Sequence, residues 1–240
     1  MGSQIICFDG VSGLGKTKYL KELHKRNKKV AFNDFVDINA TDYKIDLIIT
    51  MLTQFAKCEQ NNSGSTLYVD RSPLSVLYDY QIGEILKNST TASLKYNCGY
   101  ILNKYFIKKN EYHNGTIIQY YLMKILEKYQ TILFVTDDVE KIAHELYTRA
   151  DPKDRFFANK CGYKFNLHYC KWYTQVQNEY FRQLSANYYN DVTLCIINEY
   201  SDFRKVSYSA IKNAKAKNKT NYTLMKLTTF NKNDKKPRRK

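Results

Sequence analysis

The sequence predicts an α/β protein: a five-stranded parallel sheet with helices on both faces. Three observations carry this. Five short apolar runs recur along the chain, each fit for a buried strand. Segments with helical spacing of apolar residues separate them, and strand–helix alternation is the signature of parallel crossover units. A glycine-rich turn joins the first strand to the first helix.

Ser3–Asp9, SQIICFD, is the first strand, and Gly10–Gly15 the glycine turn. Lys16–Arg26 places Leu20 and Leu23 on one face and reads as a helix. Lys29–Asn33, KVAFN, is the second strand. Tyr43–Lys57 carries Leu47, Ile48, Met51, Leu52 and Phe55 at helical spacing. NNSGS at 61–65 is a loop, Thr66–Asp70 the third strand, and Pro73 is expected in the first turn of the next helix. Residues 93–129 read as two helical pieces broken near Asn114-Gly115. Thr131–Thr136 is the fourth strand, with Asp137 or Asp138 as helix cap. That helix runs to about Tyr147, and Asp151-Pro152 breaks it. Tyr169–Tyr189 is mostly helix, and Val192–Asn198 the fifth strand.

The chain has 240 residues and a formal net charge of +15, unevenly spread. Arg204–Lys240 holds 13 Lys or Arg and one acid, so this stretch carries +12 and residues 1–203 only +3. The expected division is a nearly neutral domain over 1–205 and a basic, flexible tail over 206–240. The tail has little apolar periodicity with which to offset ordering entropy, although Ile211 and Leu224–Leu227 could dock. Six cysteines, none in a C-x-x-C pair, argue for reduced thiols; Cys161, His168 and Cys170 lack the usual zinc spacing. No apolar run approaches the roughly 20 residues of a membrane span. No signal peptide is evident, and the expected setting is intracellular, cytoplasmic with nuclear residence left open.

The strongest chemical signal is Gly10-Val11-Ser12-Gly13-Leu14-Gly15-Lys16-Thr17, which fits G-x-x-x-x-G-K-[ST]. Small residues let the backbone curl so that its N–H groups face phosphate oxygens. The helix opening at Lys16 adds its positive end. Lys16 is the expected β/γ-phosphate contact, and the Thr17 hydroxyl a Mg²⁺ ligand. The second signal is Asp70-Arg71-Ser72-Pro73-Leu74-Ser75 at the end of the third strand, where ligands collect in such sheets. Asp70 can hold Mg²⁺ or take a hydroxyl proton, and Arg71 can clamp a phosphate. The third is Arg149 and Arg155 in YTRADPKDRF, read as a proline-broken loop able to close over a transferring phosphoryl group.

On these residues the chain resembles the deoxynucleoside kinases and thymidylate kinases. FDGVSGLGKT is similar to their first strand and loop, with Asp9 where the family usually has Glu. DRSPLS resembles the Glu-Arg-Ser motif of deoxynucleoside kinases and the Asp-Arg motif of thymidylate kinases. ITMLTQ resembles a substrate-cradling helix, TRADPKDRF an arginine-bearing lid, and NEYSDF the loop that cups adenine, which would place Asp202 and Phe203 at the nucleotide. The likeness spans about residues 3–203 and implies a P-loop kinase fold.

Departures divide the readings. The family's general base after the second strand is Glu; here FNDFVD makes Asp34 the candidate and Asp37 the reserve. The base-reading glutamine has Tyr43-Lys44 near its place, and the thymidylate kinase Tyr-Gln pair stands one position late as Tyr80-Gln81. The loop has no arginine between its glycines, so a catalytic arginine would come from the lid. About 60 residues separate Asp70 from the fourth strand, comfortable for a deoxynucleoside kinase and long for a thymidylate kinase. The resemblance implies transfer of a phosphoryl group from ATP, with Mg²⁺, to a pyrimidine deoxynucleoside such as thymidine. The alternative is dTMP as acceptor. A polynucleotide 5′-kinase and a nucleotide-gated nucleic-acid-binding protein rank lower, supported only by the basic tail and its expected weak nucleic-acid contact. A homodimer is left open.

Overall fold

The computed structural model describes residues 4–32, 43–60 (43–48 by backbone alone), 65–108, 115–117, 119–120, 122–123, 129–188, 192–198 and 203–213. In chain order these form β1 (Ile5–Gly10), α1 (Lys16–Lys25), β2 (Lys29–Phe32), α2 (Tyr43–Gln60), β3 (Leu67–Asp70), α3 (Ser75–Asn88) and α4 (Leu94–Tyr105). There follow β4 (Gln130–Val135), α5 (Val139–Arg149), α6 (Pro152–Lys160), α7 (Leu167–Asn187) and β5 (Thr193–Ile196). Residues 117, 119–120 and 122–123 are also helical, as is the stretch 203–213.

All four strand pairings are parallel, in the order β2-β3-β1-β4-β5. With the phosphate loop between the first strand and first helix, this is a P-loop kinase fold. Alternation along β1 explains why the sheet needs two covers. Ile6 and Phe8 enter the main core, while Ile5 and Cys7 pack with Cys58, Leu67, Val69 and Tyr129 on the opposite side. Both faces are therefore apolar, as expected of a central parallel strand. The edge strands β2 and β5 are only partly buried. The order of connection reverses between β3 and β1, so the carboxyl ends of these neighbours form the crevice where such sheets bind ligands.

Local chemistry sets the boundaries near that crevice. Asp138 is the cap of α5, its carboxylate accepting from Lys141 N at 3.0 Å. Pro73 lies ahead of α3 instead of in its first turn, because Ser72 O accepts from Ser75 N at 3.0 Å and holds the segment as a turn. The break in the long helical region opens at Phe106, which is extended, and Gly115 and Thr116 are still non-helical before helix resumes at residue 117. Asn114 itself lies outside the described residues.

One expectation needs correction. The lid is not an open loop. Ala150 ends α5 at φ 48°, Asp151 caps α6 through Lys153 N at 2.9 Å, and Pro152 opens α6. Proline suits a helix start, where its missing N–H costs nothing, so the residue read as a breaker starts a new helix. The boundary at 205/206 falls inside a helix. Ser207, Ala210 and Ile211 are buried within the stretch 203–213, which turns one apolar side inward despite its Lys and Arg content. The basic remainder, 214–240, lies outside the described residues.

Candidate functional site

Glycine at position 10 is dictated by close approach. The loop leaves β1 at φ 120°, and a Cβ here would lie 2.1 Å from the Phe134 carbonyl oxygen. Gly13 and Gly15 also have positive φ, of 89° and 92°, a region costly for side chains with a Cβ. Gly13 rests against Ile142 and Leu146 of α5. Val11 and Leu14 are buried in the core and contribute backbone, not side chain, to any ligand.

Within the curl, Lys16 turns back on the loop. Its ammonium donates to Val11 O at 2.6 Å and Gly10 O at 3.0 Å. Burial, reinforced by Arg71 and Arg149, lowers its pKa to about 8, against the pull of Asp70 and Asp9. A cation short of solvent and surrounded by carbonyl oxygens is primed to move to stronger anionic partners. Thr17 is exposed at the mouth of the same cleft.

Register brings the second motif alongside. Phe8 and Phe32 both pair with Asp70, so β3 ends between the ends of β1 and β2. Asp70 is buried, and among the described residues its Oδ1 has no hydrogen-bond partner. A buried carboxylate oxygen without a donor is costly unless a ligand or ion answers it. Arg71 adopts φ 72°, which swings its side chain off the strand line to donate to Asp79 Oδ2 of α3 at 2.8 Å. Burial works against its charge, but Asp79, with Tyr173, Asp70 and Asp9, holds its pKa above the usual arginine value. Burial likewise raises the pKa of Asp79, against the pull of Arg71. Asp9 lies under the crevice and accepts from Ser72 N at 3.0 Å. Burial raises its pKa, while hydrogen bonds from Ser72 and the charges of Arg71 and Lys16 oppose the rise. Asp9 thus ties the Asp-Arg-Ser segment to β1.

The lid arginines separate. Arg149 lines the cleft and pairs with Asp154 of α6. Arg155 does not line it; its guanidinium sits 5.7 Å from the centre of the Phe165 ring. One cleft of about 1040 Å³ gathers Ser12, Gly13, Gly15, Lys16, Thr17, Asp70, Arg71 and Arg149, with Tyr173 in its wall. Its rim adds Lys18, Lys21, Lys25 and Lys153.

Phe203 corrects the reading of the adenine loop. Its ring is fully buried, stacked on Phe134 at 4.6 Å and tilted against Tyr19 at 5.5 Å. Aromatic packing in the core therefore accounts for its side chain. Asp202, Asp34 and Asp37 lie outside the described residues. Gln81 is likewise a core residue, bonded to Tyr180.

Sequence reasoning missed Asp79, Asp154, Tyr173 and Gln177. Asp79 and Asp154 follow no motif. A signal did exist for Gln177: Thr174, Gln177 and Asn178 put polar groups on the buried side of a long helix, where each must find a partner.

No family model matches the chain, and no curated protein does. Among solved structures, a deoxyadenosine kinase from M. mycoides with bound dATP is similar at 11% identity and a TM-score of 0.48, over 88% of this chain and 99% of that one. A thymidylate kinase from Candida albicans is similar at 13% identity and 0.48, over 89% and 93%. A tRNA isopentenylpyrophosphate transferase from Bacillus halodurans is similar at 12% and 0.42, over 92% and 99%. At such identities and scores these likenesses bear on neither substrate nor chemistry; the fold rests on this chain's own strand order and loop.

Proposed function

We propose that the protein transfers the γ-phosphoryl group of ATP to the hydroxyl of a pyrimidine deoxynucleoside, thymidine-like. One observation carries the reading: the buried Oδ1 of Asp70, without a hydrogen-bond partner among the described residues, shares a cleft with Lys16 and Thr17 of the phosphate loop. A carboxylate oxygen and a hydroxyl are the hard donors that suit Mg²⁺, so Thr17 and Asp70 are the residues that would hold it. Bound there, the metal would neutralise charge on the phosphate oxygens. The loop N–H groups would orient the triphosphate, and Lys16 would leave the Gly10 and Val11 carbonyls for its oxygens. Arg149 would offset charge that spreads over the transferred group.

On the acceptor side, Arg71 is engaged by Asp79 and Arg149 by Asp154. A dianionic acceptor would have to displace these carboxylates, whereas a neutral hydroxyl would not; this supports the nucleoside. Asp34 is the proposed base, and Asp34→Asn should cut kcat for thymidine by about 10²–10⁴-fold with little change in ATP affinity. The second reading, dTMP as acceptor, draws support from the basic rim of Lys18, Lys21, Lys25 and Lys153.

The deciding experiment incubates the protein with Mg·ATP and, in parallel, thymidine, deoxycytidine, dTMP and a 5′-hydroxyl oligonucleotide. Phosphorylated thymidine is the expected product. Transfer to dTMP alone, with Asp34→Asn harmless, replaces this reading with the second. Transfer to the oligonucleotide alone overturns both.

A further inference from the structure

The phosphate loop is gripped from outside by one helix. Ser12, its third residue, is buried, and both of its polar groups are engaged by α7. Its N–H donates to Gln177 Oε1 at 3.0 Å, and its hydroxyl accepts from Gln177 Nε2 at 3.3 Å. Gln177 is itself buried. One turn earlier, Tyr173 lines the same cleft as Ser12. The neighbouring Asn178 accepts from Thr136 N at 2.9 Å, fastening the end of β4 to the same helix. Tyr173 packs on Phe157 of α6 at 5.4 Å and stacks on Tyr169 at 5.7 Å. Its ring therefore ties α7 to the lid helix.

We propose that Gln177 is a positioning residue that holds the phosphate loop in its nucleotide-binding shape. This rests on the reading of that loop as the nucleotide site. With the Ser12 N–H turned toward α7, phosphate contacts fall to the N–H groups that follow it. Without Gln177, the buried Ser12 N–H lacks an acceptor, and an unliganded loop relaxes to find one. Nucleotide binding then has to reverse that relaxation, so affinity falls as well as stability. A residue that merely fills the core changes stability and leaves affinity alone.

The test uses the full chain without acceptor. Calorimetry gives Kd for Mg·ATP and Mg·ADP, and thermal melts give Tm, for the unmodified protein, Gln177→Met and Gln177→Asn. Gln177→Met keeps length and bulk but has no strong acceptor or donor. Its expected effect is about tenfold weaker binding of both nucleotides, the scale of one buried N–H left unpaired. In a separate turnover assay with Mg·ATP, KM for thymidine should stay within about twofold, because the hydrogen bonds lost act on the loop alone. Should Gln177→Met fail to fold, Gln177→Asn decides, since it keeps a polar amide in the buried site but is one methylene too short to reach the Ser12 N–H. It should weaken both nucleotides about threefold. Unchanged Kd with a lowered Tm overturns the proposal. An unmodified protein that binds neither nucleotide overturns the phosphate-loop reading, and this proposal with it.

Discussion

The phosphate loop and the lid both face the cleft with positive charge, but they are built on different principles. In the loop, backbone geometry leaves few choices. Gly10 has no room for a Cβ, and Gly13 and Gly15 have positive φ. In the lid, two arginines six residues apart have the same chemistry and opposite placements: Arg149 lines the cleft, and Arg155 lies on Phe165. Where the backbone dictates residue type, a motif also reports orientation. Where only side-chain charge matters, packing chooses which residue faces the ligand.

The largest test of this contrast lies in the loop. Lys16→Ala should reduce phosphoryl transfer about 10³-fold while far-UV circular dichroism and Tm stay close to those of the unmodified protein. Measurable wild-type turnover in that variant would remove the loop from the mechanism. In the lid, Arg149→Ala should lower kcat about 10²-fold, and Arg155→Ala only about twofold, because the first stabilises transferred charge and the second an exposed cation–π contact. Equal losses at both positions would mean that the lid re-aims both arginines on closing.

A third experiment probes what braces the loop's helix. Phe203 packs on Tyr19 of α1, and Arg204 donates twice to Glu22 Oε2, at 2.9 and 2.6 Å. A chain ending at residue 213 should melt near the full-length Tm. One ending at 205 loses the buried Ser207, Ala210 and Ile211 and should melt about 10 °C lower, for a few kcal/mol of lost apolar burial. Matching Tm values for the two truncations would return the domain boundary to 205.

The smallest effect is in pH. The Lys16 pKa is lowered from 10.5 to about 8, mainly by burial. In this range the unfolded chain holds more protons than the native one, so the ligand-free protein should gain stability from about pH 8 to 10.5. Affinity for Mg·ATP should move the other way, falling a few-fold above about pH 8 as the ammonium is lost. Difference melts and titrations against Lys16→Met report both slopes. Parallel slopes in the two proteins would show that Lys16 is not the titrating group.

How much of this was legible beforehand depends on the range over which each feature is determined. The sheet, its helices and the phosphate loop follow from local patterns: apolar runs of strand length, helical spacing, and glycines in a fixed order before Lys16-Thr17. Asp70-Arg71 was readable as a pair at a strand end for the same reason. The pairing of Arg71 with Asp79 was not, because it needs the positive φ of Arg71 and the angle at which α3 leaves the turn. Phe203 read as a ligand-facing residue because its neighbours resemble a binding loop, and the core took it because Phe134 and Tyr19 offer aromatic surface. Residues 206–213 read as tail because Lys and Arg dominate the composition from Arg204 onward. Yet a few buried positions on one side of a helix suffice to dock it, whatever the charge on the other side. By itself, the sequence determined the fold class and the glycine turn that opens the first helix, since both are written in short-range residue order. The tertiary structure alone decided which arginine faces the cleft, which carboxylate holds Arg71, and that Gln177 fastens Ser12. Those contacts join residues as many as 165 positions apart, and no local pattern records them.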